Sequence, residues 1–383
     1  MQLRVPPPED GKDSSQRPQP RVFPLKILKF LLLFLALGVG FLLVSMYMTH
    51  YFGVQSLVSA TRASFQPCIE EPSALSHWLR TPSNLMHSMT DEELLWRASF
   101  TPLVKKYPFK RVPKIAFMFL TKGPLPLYPL WERFLGGHEG LYSIYIHSLP
   151  SYQADFPPTS PFYGRHIPSQ VSEWGQMSMC DAERRLLANA LLDISNDWFV
   201  LLSESCIPLS NFSIVYTYIM RSHYSFVGVF DDPGPHGRGR YHVNMIPEVN
   251  LSQWRKGSQW FEVNRKVALS IVQDVAYYPK FKEFCKPHCY VDEHYFPTML
   301  TIEVPHLLAN RSITWVDWSR GGAHPATFGL GDITEAFLKR ILEGERCLNN
   351  GQPSTVCFLF ARKFAPNTLQ PLLHLAPKVL GFG

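Results

Sequence analysis

The chain has 383 residues, of which 46% are hydrophobic and 14% aromatic, so it is long enough to bury a sizeable core. Its formal net charge is +6, but the first 29 residues hold six basic and three acidic side chains, which leaves about +3 for the rest. A globular part so close to neutral excludes nucleic-acid binding driven by charge.

An uncharged apolar segment near the N-terminus, Phe30–Met48, predicts a single transmembrane anchor. At 1.5 Å per residue this segment nearly matches a bilayer core of roughly 30 Å. Basic residues precede it, so the positive-inside rule predicts a cytosolic tail at 1–29 and a C-terminal bulk across the membrane. The tail is rich in Pro and Gln and is expected to be disordered. A cleaved signal peptide is the alternative to the anchor.

Residues 49–112 are expected to form a stem that stands the catalytic part off the membrane. Within it, the segment 91–100 follows a capping-box pattern, which predicts a short helix. Further along the chain, three glycosylation sequons agree with a luminal bulk, at Asn211, Asn250 and Asn310. Disulfides are permitted in such a compartment, and Cys347 with Cys357 is a plausible local pair.

From residue 113 onwards, short apolar runs alternate with helical patterns. In chain order the predicted elements are a strand at 114–123, a helix at 127–135, a strand at 142–148, a helix at 179–194 and a strand at 197–205. This spacing of strand, helix and strand indicates a βαβ unit with buried strands. Residues 113–383 are therefore predicted to form one α/β domain with a nucleotide-binding-like, Rossmann-like layered fold.

The stretch Asp292-Glu293-His294 stands before an apolar run, and three explanations compete for it. Glu293 could be a catalytic base, or an ordinary acid in the first turn of a helix that starts near Tyr295 or Phe296. A hydrolase would need a second, distant acid, because the neighbours Asp292 and Glu293 point away from each other.

Two other clusters could hold a metal, although each also has a simpler explanation. The first is a zinc-like set of Cys285, His288, Cys289 and His294, whose thiols would more commonly form disulfides in an oxidising lumen. The second is Asp231-Asp232-Pro-Gly, which is also a strong turn signal. Several further side chains could equally belong to a site, to the core or to the surface: Trp174, Trp260, Trp318, His324, Arg362 and Lys363.

Several motifs occur in one order along the chain and together resemble the core-2/I-branching β-1,6-N-acetylglucosaminyltransferase family. They are the first predicted strand, MCDAERRLLANALLD, WFVLLSESCIPL, GSQWFEVNRK, VDEHY and FARKF. The stretches CYVDEHYFPTML and WVDWSRGGAHPATF resemble the plant branch of that family. The resemblance covers residues 113–383, which is almost the whole predicted luminal part.

The resemblance implies a GT-A-type fold and a metal-independent, inverting transfer of a sugar from a UDP-sugar donor. It makes Glu293 the general base and places Lys363 at the diphosphate. A second basic residue upstream is expected there, and the sequence leaves Arg340 and Arg346 open. Acceptor contacts are implied at three positions, Trp315, Arg238 and Arg240.

One position departs from the family pattern, since His147 stands where mammalian relatives have an aspartate that contacts uridine. The resemblance nevertheless implies a single-pass type II Golgi enzyme without a metal cofactor. We expect a UDP-sugar donor, with N-acetylglucosamine favoured, and a glycan acceptor on a glycoprotein or cell-wall polymer. The alternatives are a catalytically inactive Golgi scaffold with the same fold, which the change at His147 suggests, and a luminal hydrolase.

Overall fold

A computed structural model describes residues 25–51, 84–100, 107, 110–153, 155–286 and 289–383. The chain divides into two compact units, Met1–Ser73 and Ala74–Gly383. The predicted disordered tail lies outside the described residues, as does most of the predicted stem.

The secondary structure alternates helices and strands. The helices are α1 (Leu25–Tyr51), α2 (Asp91–Ser99), α3 (Tyr128–Leu135), α4 (Met177–Leu191), α5 (Phe212–Met220), α6 (Arg265–Gln273), α7 (Tyr278–Phe284), α8 (Tyr295–Glu303), α9 (Glu335–Glu343) and α10 (Leu369–Leu375). The strands are β1 (Lys114–Leu120), β2 (Tyr142–His147), β3 (Asn196–Ser203), β4 (Ile207–Pro208), β5 (Glu262–Asn264), β6 (Thr314–Val316), β7 (Cys347–Asn349), β8 (Gln352–Ser354) and β9 (Phe360–Arg362).

The N-terminal unit contains helix α1, which includes the predicted anchor Phe30–Met48. Residues Leu25–Met48 are long and apolar enough to cross a bilayer, and their large apolar side chains are exposed. An apolar helix with exposed side chains fits membrane anchoring.

The C-terminal unit is built on a mixed sheet in the order β2-β1-β3-β5. Strands β1, β2 and β3 run parallel, whereas β5 pairs with β3 in the antiparallel direction. The predicted βαβ unit is confirmed by β1, α3 and β2, and the predicted strand after α4 is β3. Parallel strands buried on both faces read as continuous apolar runs, as β1 does.

The two faces of the sheet carry separate hydrophobic clusters. Ala116 and Met118 pack on the α4 side, and Phe117 and Phe119 pack on the α3 side. This division follows from strand geometry, because successive side chains of a strand point to opposite faces. The domain therefore has the layered α/β architecture that the sequence predicts.

A second small sheet, in the order β4-β9-β6, brings the C-terminal part of the chain to the end of β3. The amide of Phe364 donates a hydrogen bond to the carbonyl of Ser205 at 2.9 Å. Residues Arg362 and Lys363 are thereby held beside the loop that follows β3.

Helix α2 corrects the predicted boundary between stem and domain. Its capping box forms as predicted, with Thr90 Oγ1 accepting from Glu93 N at 3.2 Å and Glu93 Oε2 accepting from Thr90 N at 2.8 Å. The helix buries Leu94 and Ala98 in the cluster on the α4 side, so it belongs to the globular unit and the domain begins before residue 113.

Two disulfides join four of the six described cysteines, and the other two, Cys180 and Cys206, are free and buried. Cys347–Cys357 forms as expected beside the β7–β8 hairpin. The second bridge is Cys285–Cys289, which consumes both thiols of the zinc-like cluster. The zinc hypothesis is therefore wrong, because a disulfide sulfur offers no thiolate ligand.

Candidate active site

A small cavity opens at the carboxyl ends of β1 and β3, and a large cavity adjoins it. The small cavity, of about 330 Å³, is lined by Lys122 and Glu204, which follow these strands, and by Arg362 and Lys363. The large cavity, of about 1090 Å³, is lined by loop residues that include Arg240. Open α/β sheets bind ligands outside the carboxyl ends of their strands, so this position favours a functional site.

Glu293 lies where the two cavities meet, because its side chain lines both of them. Four other residues line both cavities: Trp174, Ser258, Trp318 and Ala323. The two tryptophans remain 47% and 53% exposed. An exposed aromatic face beside a carboxylate suits the apolar C–H face of a sugar ring.

The backbone around Glu293 fixes it at this junction. Residues Val291–Glu293 form a 3₁₀ turn that leads directly into α8, and the Glu293 carbonyl accepts a hydrogen bond from Gly257 N at 2.7 Å. A Cβ on Gly257 would lie 2.0 Å from the carbonyl oxygen of Gly228. Only glycine permits the segment that contains Gly257 to lie so close to the segment that contains Gly228.

Two cations hold the Glu293 carboxylate. Arg240 Nη1 donates to Glu293 Oε2 at 3.0 Å, and Lys256 Nζ lies 3.9 Å from the same oxygen. The Arg240 guanidinium also lies 4.4 Å from the ring centroid of Tyr290. The side chain of Glu293 remains 29% exposed, so it is oriented but still accessible from the cavities.

Asp292 has a different environment from its neighbour. It is buried, its Oδ1 lacks a hydrogen-bond partner, and burial and then the charge of Glu293 raise its pKa to about 7. The carboxyl of Glu183, which is also buried, has its pKa raised well above the usual range by burial and then by Asp292. Asp292 forms no salt bridge with any of the described residues.

The small cavity is basic at the end of β9. The Arg362 guanidinium lies 4.1 Å from the ring centroid of Trp260, and its Nε has no hydrogen-bond partner. Burial, followed by the charge of Arg362, lowers the pKa of Lys363. Three acids, Glu204, Asp292 and Glu293, also line this cavity. Its three cations, Lys122, Arg362 and Lys363, are the groups that can bind an anion such as a diphosphate.

Residues 115–342 match the family model of the Core-2/I-Branching enzyme, which covers more than half of the chain. The chain belongs to this family. It is also 37% identical over 309 residues to "Glycosyltransferase BC10" of Oryza sativa subsp. japonica, across 69% of this chain and 76% of that protein. The protein is therefore a glycosyltransferase with a plant relative, and the hydrolase alternative is wrong. Glu293 lies within the matched segment, whereas Lys363 lies beyond it.

The structure places three predicted site residues of this glycosyltransferase away from both cavities. Arg340 is exposed, with its guanidinium 5.3 Å from the ring centroid of Phe337, and Arg346 is exposed too. Neither arginine lines the small cavity that contains Lys363. Trp315 packs against Phe328 at 5.8 Å, because alternation along β6 turns Val316 and not Trp315 toward the small cavity.

His147 is fully buried at the end of β2 and does not line either cavity of the enzyme. Its Nε2 lies 3.0 Å from Nη1 of Arg185, which is paired with Asp91 of α2 at 2.5 Å. Burial and then Arg185 lower the pKa of His147 to about 3, so the ring is neutral. In this position it buttresses α2 and does not reach the cavity.

The arginines of the GRGRYH stretch have separate environments. Arg240 contacts Glu293 as described, whereas Arg238 is paired with Asp231 at 2.7 Å and lines neither cavity. Asp232 Oδ1 accepts from Gly234 N at 2.8 Å, which is the turn that the sequence indicates. Among the described residues, no group of three or more His, Cys, Asp or Glu is placed to hold a metal ion.

The three sequons differ in exposure. Asn250 and Asn310 are exposed, and Asn310 has a positive φ of 55°. Asn211 is half-buried and caps α5, with its side chain accepting from Ile214 N at 2.9 Å. We therefore expect a glycan to be attached more readily at Asn250 and Asn310 than at Asn211.

Sequence reasoning missed several lining residues. Lys122 and Glu204 directly follow predicted strands, so the rule that ligands bind at strand ends could have found them. Arg362 was left open beside Lys363, and His324 lines the small cavity with its ring 4.9 Å from that of Trp174.

Proposed function

We propose that the enzyme transfers a sugar from a UDP-sugar to a hydroxyl group of a glycan acceptor on a glycoprotein or cell-wall polymer. Family resemblance favours N-acetylglucosamine as the sugar. The observation that carries the proposal is the position of Glu293, where a small cavity that contains Lys122, Arg362 and Lys363 meets a large cavity with exposed aromatic side chains.

In this proposal the donor diphosphate binds in the small cavity and the acceptor in the large one. Glu293 takes the proton of the acceptor hydroxyl while that oxygen forms a bond to C1 of the sugar. The bond between C1 and the diphosphate oxygen breaks on the opposite face, and its electron pair leaves with UDP. The anomeric centre is therefore inverted.

Basic side chains stabilise the departing diphosphate in place of a metal ion. Lys363 and Arg362 supply positive charge from the end of β9, and Lys122 does so from the end of β1. Arg362 thus takes the role that the sequence left open between Arg340 and Arg346. This arrangement supports a metal-independent enzyme of GT-A type.

The apolar helix α1 supports a single-pass type II membrane protein. The basic residues that precede it favour a cytosolic N-terminus, and the exposed sequons at Asn250 and Asn310 agree with a luminal catalytic unit. The Golgi membrane is the location proposed by family resemblance.

Replacement of the proposed base tests the mechanism. We expect Glu293→Gln to lower turnover by at least roughly a hundredfold, because the amide cannot accept the proton. UDP binding should stay close to that of the wild-type enzyme. The measurement is release of UDP from UDP-N-acetylglucosamine and other UDP-sugars with a mixed pool of glycan acceptors, beside calorimetric titration of UDP.

The matched control is Glu283→Gln, which changes an exposed glutamate of α7 that lines neither cavity. It should retain wild-type turnover. Full activity of Glu293→Gln would refute the assignment of the base. Absence of turnover by the folded wild-type enzyme with every donor and acceptor would favour the inactive scaffold.

Removal of metal tests the basic diphosphate site. We expect UDP to bind the full-length enzyme in excess EDTA and to lose at least about tenfold in affinity in Lys363→Ala, since a charged hydrogen bond is worth about 1.5–3 kcal/mol. Calorimetric titration measures both affinities. The control Lys266→Ala, on the exposed face of α6, should bind as the wild type does.

Binding that required manganese would contradict the metal-free site and direct attention to Asp231 and Asp232. Absence of UDP binding with and without manganese would contradict the assignment of the small cavity as the donor site.

A further inference from the structure

The large cavity carries more positive charge than the proposed chemistry needs. Five side chains that can be cationic line it: His236, Arg240, His242, Lys256 and Lys286. Among its lining residues in the described chain, Glu293 is the one carboxylate. A neutral glycan would leave Lys286, and either histidine when it is protonated, without a counterpart.

Two of these cations are already used. Arg240 and Lys256 lie 3.0 and 3.9 Å from the same oxygen of Glu293, so they balance the carboxylate and position it. The remaining three, His236, His242 and Lys286, form what we call the outer cluster. All three are exposed, and none is paired with a carboxylate of the described residues.

The fold holds part of the outer cluster at the cavity wall. The ring of His242 stacks on that of Phe284, with centroids 5.3 Å apart and planes 10° apart. Lys286 lies inside the short loop that the Cys285–Cys289 disulfide closes, and Cys289 itself lines the cavity. The stacking restrains the His242 ring, which lowers the entropy lost when it meets a ligand, and the disulfide ties down the backbone beside Lys286.

The donor does not account for this charge, because the small cavity has basic residues of its own in Lys122, Arg362 and Lys363. The outer cluster is therefore available to bind an anionic group of the ligand of the large cavity. That cavity also exposes aromatic faces, with Trp174 47% and Trp318 53% exposed. Aromatic faces with cations around them suit a sugar that carries a carboxylate.

We infer that the acceptor is an acidic glycan, whose uronic-acid carboxylate binds at the outer cluster while the attacked hydroxyl of a neighbouring sugar reaches Glu293. This inference rests on the proposed function, since it assigns the large cavity to the acceptor. It adds the chemical class of that acceptor.

Binding of matched polysaccharides by the full-length enzyme in detergent tests the inference. The probes are several plant polysaccharides that contain uronic acids, each compared with its carboxyl-reduced form, which keeps the backbone and linkages but loses the charge. We expect at least one acidic form to bind about fivefold or more tightly than its reduced form, and the difference to shrink as salt screens the charges.

The double variant His242→Gln/Lys286→Gln should lose this preference. The matched control Lys282→Gln should keep it, because Lys282 is exposed on α7 near Tyr278 and does not line the cavity. Equal affinity for acidic and reduced forms across the series would overturn the inference. So would a preference that survives in the double variant, or equally tight binding of polyglutamate at the same carboxylate concentration.

Failure of this inference is distinguishable from failure of the proposed function. Titration of UDP and turnover of Glu293→Gln report on the donor site and the base, and neither depends on the outer cluster. An enzyme that transfers sugar to a neutral glycan with no preference for acidic ones would keep the proposed function and lose only the acidic acceptor.

Discussion

Among single residues, Glu262 shows most directly how burial controls charge. It lies on β5 with no exposed surface, and its Oε1 accepts a hydrogen bond from Thr314 Oγ1 at 2.7 Å. Burial raises its pKa to about 8, although the bond from Thr314 acts in the opposite direction. Near neutral pH the folded protein therefore keeps a proton that the unfolded chain releases.

This raised pKa predicts the pH dependence of stability. Between the unfolded pKa of about 4.3 and the folded pKa of about 8, unfolding releases a proton, so the stabilising contribution is lost as pH rises. The slope from this one group is at most about 1.4 kcal/mol per pH unit. We expect Glu262→Gln to lose less free energy of unfolding than the wild type between pH 5.5 and pH 7.5, as measured by urea unfolding in detergent.

Glu92→Gln serves as the control, because Glu92 is exposed on α2 and should leave the pH dependence of the wild type unchanged. A wild-type pH dependence in Glu262→Gln would show that Glu262 is ionised in the folded protein at these pH values.

Three site candidates, Glu293, Trp315 and Trp318, differ in how far the sequence alone could identify them. Glu293 could be singled out because an acid before an apolar run at a family motif is a local signal. Trp315 was singled out in the same way, yet Trp318, three residues later, lines the cavities. Which of two nearby tryptophans faces a cavity depends on strand alternation and on the loop that follows β6, and composition does not reveal either.

At the scale of elements, the entry into α8 positions the site. The expected start of this helix near Tyr295 is confirmed, and Pro297 stands in its first turn, where the missing amide hydrogen costs little. The turn before it is pinned by the hydrogen bond between Gly257 and Glu293. The helix start is readable locally, whereas the contact with Gly257 joins segments distant in sequence.

The close approach at Gly257 makes a specific prediction. In Gly257→Ala the new Cβ would meet the carbonyl oxygen of Gly228 at 2.0 Å and Pro297 Cγ at 2.6 Å, so the segments must separate. We expect a loss of about 1–3 kcal/mol in the free energy of unfolding, as for other overpacked sites, together with reduced turnover as Glu293 shifts. Thermal unfolding in detergent and the UDP-release assay measure the two effects.

Gly331→Ala is the comparison, since a Cβ there meets nothing within 4 Å. It should unfold and turn over as the wild type does. If Gly257→Ala matched Gly331→Ala in both measurements, the close approach would have no role in positioning Glu293.

Helix α2 is a second element that local sequence signals predict, although those signals do not show where the helix packs. The capping box predicts the helix from a few neighbouring residues. Its docking depends on Asp91, whose carboxylate is paired with Arg185 at 2.5 Å across 94 positions of sequence. That partner is buried and lies against His147, so the departure from the family pattern at this position lies in the packing and not in the lining of either cavity.

At the scale of the whole molecule, the sequence predicted the sheet well and the cavities poorly. Strands β1, β2 and β3 are short apolar runs, and their parallel order follows from the intervening helices. The antiparallel β5 and the small sheet of β4, β6 and β9 were not predicted. Strands β4, β6 and β9 have only two or three residues each, which is too few for an alternation of apolar and polar residues to be recognised.

The sequence by itself determined the apolar N-terminal helix, the layered α/β class, the family and the candidate base Glu293. Each of these rests on composition, local periodicity or motifs over a few neighbouring residues. Only the tertiary structure decided that Arg362 and Lys363 line the small cavity while Arg340 does not, and that Glu293 lies where the two cavities meet. Those facts depend on contacts between segments far apart in the chain, whose geometry is set by packing and not by local propensity.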